Sequence, residues 1–294
     1  MNPRTSTEPR SWLFVPGDSE KKLGKIADSG ADAVIIDLED AVAPASKPAA
    51  RKLTADYLAN RHGGPALWVR VNPLDSSLID DDLARVICHA PAGIMLPKCG
   101  GADDIKRLSD LIQRRGGGTE IGILPVATET PASVFALGEY AQKTHSRLTG
   151  ITWGAEDLGA AIGSSGNRWD DGRFHEAFRM VRSLTLLAAH AANVQAIDTL
   201  YADFRDLDGL KADSERSAAE GFTGRLAIHP AQVAVINAAY RPSEAALGHA
   251  HRVVDAFSAD PDAGTIGLDG KMVDRPHLVQ AERLIARAGA FGRD

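Results

Sequence analysis

The sequence predicts an α/β protein, a (β/α)8 TIM barrel with a C-terminal helical extension. Eight short apolar runs alternate with helix-patterned stretches over ~250 residues, which is what such a barrel requires. No GxGxxG follows the first run, which speaks against an open doubly wound sheet. Several runs also close on charged residues, most plainly Gly122-Ile-Leu-Pro-Val-Ala-Thr-Glu129 and Leu148-Thr-Gly-Ile-Thr-Trp-Gly-Ala-Glu-Asp157. An acid delivered by a buried strand costs too much to be placed there for solubility.

In order, residues 11–17 read as a strand, and Asp18 or Ser19 can cap a helix through 25–29 that Gly30 ends. Residues 33–40 form the second strand, with a helix over 46–60. The third strand is 66–72, its helix 77–88; the fourth is 93–98, its helix 103–115. Glu129 ends the fifth, and a helix from Pro131 to about Lys143 leads to the sixth, closed by Asp157. After a Gly-Ser-Ser-Gly loop at 163–166 come a helix over 171–192, a strand over 194–200, a polar helix over 206–220 and the eighth strand, 224–230. Beyond it, 243–258 reads as an amphipathic helix, 264–270 as a turn-rich loop and 276–288 as a last helix. The expected division is a barrel over 1–242 and a segment over 243–294 that lies on its own barrel, acts as a lid or reaches a neighbouring subunit.

At 294 residues, 44% hydrophobic and 24% charged, the chain can bury a full core. A net charge of −6 offers no general surface for nucleic acid. Cys88 and Cys99 stand in no CxxC pattern, so neither a disulfide framework nor a structural zinc site is expected. Residues 1–10 lack the apolar core of a signal peptide, and no apolar run reaches the ~20 residues of a membrane span. The expected location is cytoplasmic.

In a parallel barrel every strand presents its C-terminal end to one face, where active sites are built. Glu129 and Asp157 then fall on adjacent strands ~5 Å apart, and both can reach one hard cation such as Mg2+. The competing reading is an ion pair in the barrel mouth with Arg70 or Lys98; two acids on neighbouring strands favour the metal. Only one of Glu156 and Asp157 can face inward from a strand. Arg70, between Val69 and Val71, needs anions, either a substrate carboxylate or enolate, or Glu39 or Asp40. Asp37 and Glu39 share a side of the second strand and suit a supporting role toward Arg70, Lys98 or metal-bound water. Lys98 could form a Schiff base with a carbonyl substrate, but with so many acids nearby a neutralising lysine is preferred. Asp274, before Arg275-Pro276, reads by pattern alone as a helix cap. His229-Pro230 closes the eighth strand and can be structural.

The segments Arg10-Ser-Trp-Leu-Phe-Val-Pro-Gly-Asp18, Asp37-Leu-Glu-Asp-Ala-Val42, Val69-Arg-Val-Asn72, Leu96-Pro-Lys98, Glu129-Thr-Pro131, Gly154-Ala-Glu-Asp-Leu158, Ala227-Ile-His-Pro230 and Gly270-Lys-Met-Val-Asp274 run nearly the whole chain in order. Together they resemble the citrate lyase beta-subunit-like branch of the HpcH/HpaI aldolase superfamily, which contains malyl-CoA and citramalyl-CoA lyases. Ala155 stands where relatives often carry a second glycine.

The resemblance implies a Mg2+-dependent carbon–carbon lyase that cleaves or forms a 3-hydroxyacyl-CoA, with a 2-oxoacid and acetyl-CoA as the other side of the reaction. It implies Glu129 and Asp157 as metal ligands and Arg70 as holder of the thioester enolate. Arg10, Gly154 and Ala155 would touch substrate, and Glu39 with Lys98 would support the site. Asp274 would be the acid/base, delivered into a neighbouring subunit's site in a homo-oligomer, typically a trimer. The coenzyme A phosphates would find cations among Lys21, Lys22, Lys25, Lys47 and Arg51, each of which can equally be a solvated surface charge. Alternatives are a malyl-CoA-type thioesterase, a Lys98 Schiff-base aldolase, and a citrate lyase beta subunit acting on an acyl-carrier thioester.

Overall fold

The computed structural model describes residues 8–61 and 63–290. By its contacts the chain divides into two units, Pro9–Asn237 and a second built from residue 238 onward together with Glu8.

Eight parallel strands form the first unit: β1 (Ser11–Pro16), β2 (Ala33–Asp37), β3 (Ala66–Arg70), β4 (Gly93–Leu96), β5 (Gly122–Pro125), β6 (Gly150–Ile151), β7 (Gln195–Asp198) and β8 (Gly224–Ala227). They are ordered β5-β4-β3-β2-β1-β8-β7-β6. Parallel bridges from Ile123 to Leu148 and from Val126 to Thr152 join the outer two, so the sheet closes and leaves no open edge. β2 is buried at every residue, which explains why its sequence is a continuous apolar run rather than an alternation.

The barrel interior is filled by Trp12, Ile35, Trp68, Met95, Leu124, Ile197 and Leu226. Trp12 and Trp68 meet edge to face, their rings 5.2 Å apart. A Cβ at position 93 would fall 2.1 Å from the Trp68 ring, so glycine there makes room for the indole.

Around the barrel run α1 (Glu20–Leu23), α2 (Lys47–Ala59), α3 (Ile79–Val86), α4 (Ala102–Arg114), α5 (Pro131–Phe135), α6 (Glu139–Gln142), α7 (Ala155–Ile162), α8 (Glu176–Ala191), α9 (Leu207–Glu220) and α10 (Pro230–Ala239). α3 and α4 open on acids, Asp80 to Asp82 and Asp103 with Asp104, which suit the positive end of a helix dipole. The single helix expected after Glu129 is two short ones, and the first helix spans only four residues. Thr130 starts α5 with a capping box to Ser133.

The second unit holds α11 (Glu244–Ala259), β9 (Thr265–Leu268), β10 (Lys271–Asp274) and α12 (Arg275–Ala290). β9 and β10 pair as an antiparallel hairpin where the sequence reading placed a loop. Its two-residue turn, Asp269-Gly270, takes positive φ at both positions (55° and 75°), the conformation an Asp-Gly hairpin turn favours. Ala250, Val253, Phe257, Val273 and Ala281 form this unit's own core. Among the described residues no helix is long and apolar enough to cross a membrane.

Candidate active site

Asp37 and Arg70 are the last residues of β2 and β3 and stand opposite each other in register. Arg70 donates to the Asp37 carboxylate from Nε (2.8 Å) and Nη2 (2.6 Å), a two-bond fork. The same carboxylate accepts from the backbone N–H groups of Glu39 and Ala41. Glu39 Oε2 lies 3.1 Å from Arg70 Nη1, and the guanidinium sits 4.8 Å above the Phe14 ring. Of the two partners offered by the sequence, Glu39 is present and Asp40 is not; Asp37 takes the principal place. Burial opposes the Arg70 charge, but Asp37, Glu39 and Asp40 outweigh it and hold its pKa above the ordinary value.

Lys98 follows β4 with φ +50°, a left-handed conformation uncommon outside glycine. Its backbone N–H donates to Glu129 Oε2, and its ammonium donates to Glu39 Oε1 at 2.5 Å, with Asp40 at 3.7 Å and Asp157 at 3.9 Å. Burial pulls the Lys98 pKa down, but the bond to Glu39 and the charges of Glu39, Asp40 and Glu129 raise it overall. A Schiff-base lysine needs the opposite shift, toward a neutral amine. Of the two sequence readings of Lys98, its bond to Glu39 and its raised pKa favour the neutralising one. Next to it, burial pushes the Cys99 thiol up to about 12, so it is no nucleophile at neutral pH.

Glu129 is buried in the turn between β5 and α5, a little beyond the strand end where the sequence reading placed it. Asp157 departs further from expectation: β6 stops at Ile151, and Asp157 is the third residue of α7. Gly154 starts that helix, and Glu156 and Asp157 occupy its first turn, where carboxylates are favoured by the dipole. The strand alternation argued for Glu156 and Asp157 does not apply on a helix. Glu156 instead accepts from Asn167 Nδ2 at 2.8 Å. A Cβ at Gly154 would meet Glu129 Cγ at 2.8 Å, so the missing side chain lets the carboxylate lie against the helix start.

Burial pushes Glu129 up to about 8; the Asp157 and Glu39 charges add to the rise, and the Lys98 N–H works against it. A buried carboxylate with that bias fits a cation. Among the described residues no three His, Cys, Asp or Glu side chains converge on one point. Two carboxylates with room beside them suit Mg2+, which keeps several positions for water and substrate oxygens, and do not suit a zinc centre built of nitrogen and sulfur.

Asp37, Arg70, Glu129 and Asp157 share one cavity of about 250 Å3, while Glu39 and Lys98 stand behind its wall-lining residues through their bonds to Arg70 and Glu129. Lys22, Asp37, Arg70, Glu129 and Asp157 line its charged side; Phe14, Val126, Leu200, Leu226 and Ile228 line the apolar side; Gly154 and Ala155 lie between. Trp153, also in the wall, donates its Nε1–H to Asp198 at 2.8 Å. Asp198 belongs to a buried network with Arg182, Ser217 and Arg225, and Arg225 bonds in turn to Asp213 and Ser214. Sequence reasoning passed over this network, although Arg225 inside an apolar strand poses the same demand for anions as Arg70.

Arg10, Lys47 and Arg51 are engaged elsewhere in the barrel. Arg10 lies at the N-terminal start of β1, bonded through Nε and Nη2 to Asp32 (2.8 and 3.0 Å), while Pro16 at the opposite end of β1 lines the cavity. Its assignment to substrate is corrected to a tie between the starts of β1 and β2. Lys47 donates to the carbonyls of Leu38 and Glu39 and to Asn72 Oδ1, and Arg51 pairs with Asp82 at 2.6 Å. Both cations are buried in the wall and are unavailable to a phosphate. Lys21, Lys22 and Lys25 remain exposed. His229 stacks on Phe204, ring centres 4.9 Å apart. Asp274 belongs to the second unit, where it closes β10 and contacts His277.

The family model for HpcH/HpaI aldolase/citrate lyase matches residues 10–230. The (3S)-malyl-CoA thioesterase of Cereibacter sphaeroides is 35% identical over 290 residues, 96% of this chain and 95% of its own. The mitochondrial citramalyl-CoA lyase of Mus musculus is 33% identical over 298 residues, 95% of this chain and 86% of its own. The crystal structure of CitE from Mycobacterium tuberculosis in complex with magnesium, acetoacetate and coenzyme A superposes with a TM-score of 0.81 at 35% identity, covering 97% of this chain and 99% of that one.

Proposed function

Since the chain belongs to the HpcH/HpaI aldolase/citrate lyase family, we propose that it is a Mg2+-dependent carbon–carbon lyase acting on a 3-hydroxyacyl-CoA such as malyl-CoA or citramalyl-CoA. The observation that carries this reading is the sharing of one cavity by a firmly held guanidinium, Arg70, and a buried carboxylate in need of a cation, Glu129. Magnesium bound in relatives' structures supports the cofactor.

Glu129 and Asp157 would hold the ion, which when bound supplies Lewis-acid polarisation of the substrate's hydroxyl and carboxylate oxygens. The backbone N–H groups at the start of α7, at Gly154 and Ala155, would meet the substrate carboxylate. In cleavage the hydroxyl would lose its proton to solvent, its carbon would become the carbonyl of the 2-oxoacid, and the electron pair of the broken bond would pass to the α-carbon of the thioester. Arg70 would stabilise the enolate oxygen that forms. Because Asp37 and Glu39 already fix the guanidinium, no reorganisation is needed as charge develops. Lys98 holds Glu39 in place for that task. Asp274 would then protonate the enolate carbon, or remove that proton in condensation. Delivery of Asp274 from a neighbouring chain makes a homo-oligomer, a trimer or a multiple of it, part of the same proposal. Lys22 in the cavity wall, with Lys21 beside it on α1 and Lys25 just past that helix, suits the phosphates of coenzyme A.

The test is turnover of malyl-CoA, β-methylmalyl-CoA, citramalyl-CoA and citryl-CoA with Mg2+ and with EDTA, reading oxoacid and free coenzyme A separately. Metal-dependent oxoacid release is expected. A thioesterase is the second reading, favoured by the Cereibacter relative at 35% identity. Free coenzyme A with intact hydroxyacid would establish it in place of the lyase. Loss of all turnover except with an acyl-carrier thioester would instead point to a citrate lyase beta subunit.

A further inference from the structure

Asp274-Arg-Pro-His277 opens α12. A side chain three residues into a helix reaches back over its first turn, and the His277 ring comes to rest on the Asp274 carboxylate. Nδ1 lies 2.5 Å from Asp274 Oδ1; the His277 backbone N–H reaches the same oxygen at 3.4 Å, and the Asp274 N–H is 3.2 Å from Nδ1. A carboxylate only accepts, so the ring contact is a hydrogen bond when Nδ1 carries the proton; when Nδ1 is bare, it accepts from the Asp274 N–H instead. Capping α12 needs only the carboxylate and the backbone N–H, so the ring contact exceeds what a cap requires. Both side chains are partly open, 33% exposed for Asp274 and 48% for His277.

We propose that His277 is the positioning and proton-exchange partner of Asp274: it holds the carboxylate through Nδ1 and passes protons between that carboxylate and water. The proposal rests on the reading in which Asp274 is the acid/base of the CoA-ester reaction. The hydrogen bond from His277 holds the Asp274 carboxyl below the usual carboxylate range, so Asp274 alone is ionised near neutral pH and has no proton to give. A proton held on His277 Nδ1 is already at the contact. In cleavage Nδ1–H passes its proton to Asp274 Oδ1, which delivers it to the enolate carbon, and the ring is reprotonated from the solvent that took up the proton of the substrate hydroxyl. Condensation runs the same path backwards, and no proton is created or lost.

Other charges in this unit have other engagements. On β10 the remaining titratable group is Lys271, which is exposed, and β9 carries none. Arg275 of α12 donates to the Pro261 carbonyl and lies over the Phe257 ring, and Arg252 of α11 pairs with Asp269. α11 further contributes Glu244, His249, His251 and Asp255, and α12 contributes Glu282, Arg283 and Arg287. The shift at Asp274 is attributed to His277 and to none of these.

The experiment is exchange of the acetyl-CoA methyl protons with D2O in the presence of Mg2+, followed by mass spectrometry across pH for the full chain and for D274N, H277A and H277N. D274N should abolish exchange. H277A should slow it by about tenfold or more with KM changed less than about twofold, and should displace the pH profile. H277N keeps a side-chain N–H donor but carries no exchangeable charge, so it should recover part of the rate without restoring the profile. Exchange at the wild-type rate and profile in H277A, with D274N silent, would overturn the proposal alone. Normal exchange in D274N, or none in the wild type, would remove the underlying reading and this proposal with it. If H277A fails to fold, the hydrogen-bonded ring N–H of His277 can be observed by NMR in the wild type and in D274N. Its signal must change when the Asp274 carboxylate is removed, and an unchanged signal overturns the pairing.

Discussion

Arg70 and Asp37 close two neighbouring strands with a two-bond fork, and that fork aims a fixed positive charge into the cavity. A lysine can carry the charge but not the fork, because an ammonium is a single point with no planar second donor. R70K should therefore fold and still bind Mg2+, while kcat falls by about 100-fold or more, the size of effect seen when a preorganised anion-stabilising donor is lost. Steady-state kinetics with isothermal titration of Mg2+ checks both halves. Unchanged kcat in R70K would take Arg70 out of the chemistry.

Gly154 touches Glu129 closely enough that a methyl group there must displace the carboxylate. G154A should weaken Mg2+ binding by about tenfold, the lower end of what displacing a ligand's support costs. The Gly154 backbone, at φ −112° and ψ 112°, is open to any residue, so the effect would come from the contact and not from strain. Calorimetric titration of Mg2+ into G154A and wild type measures it, and equal affinities would refute the contact's importance.

The barrel was legible because its strands are apolar on both faces and its connections carry ordinary helix signals; that pattern depends on local composition alone. The positions of the acids were less so. Asp157 follows an apolar run, but a glycine three residues after the strand turns the chain into a helix before the acids arrive, and the first-turn preference of Glu156 and Asp157 is the signal that marks it. Asp269-Gly270 between alternating residues is a strong hairpin signal that was read only as a turn. Partner choice was hardest. Whether Arg70 meets Glu39 or Asp40, or Asp37 ahead of both, and whether Lys47 and Arg51 face solvent or the wall, depends on which strand ends lie in register, and single-chain order does not carry that. Arg10 shows the same limit: being near a matched segment did not say which end of the barrel it occupies.

Glu129 links metal binding to pH. Its carboxyl is raised to about 8 in the folded, metal-free protein, against ~4.3 in an unfolded chain. The folded state thus holds that proton more tightly than the unfolded state does, and its stability falls as pH rises from the lower value to the upper. Mg2+ competes with the same proton, so its affinity should rise with pH and level off above about 8. Thermal shifts at saturating Mg2+ should be larger at about pH 9 than at about pH 6. E129Q should show a small shift at both. A shift that does not vary with pH in the wild type would remove Glu129 from the ion.

The buried network behind the cavity should show the opposite acid response. Asp198 is fully buried, and although burial alone would raise its pKa, Arg225 and Arg182 hold it below the usual range; Asp213 is held low by Arg225 and Arg168. Carboxylates depressed in the folded state contribute stability above their unfolded pKa of ~3.9 and lose it as pH falls below that value toward the folded one. R225A removes the shared cation but leaves Asp198 with Arg182 and Asp213 with Arg168 and Arg216, so it should cost less than the ~3–5 kcal/mol of a buried charge left with no partner. Both acids would then titrate higher, so lowering the pH should relieve R225A while it weakens the wild type, and the gap between them in urea unfolding should narrow. Because Asp198 also accepts from Trp153 in the cavity wall, part of the effect should reach the site as a raised KM with little change in kcat. A stability gap that stays constant with pH would mean that the loss comes from the vacated volume and not from the lost ion pairs.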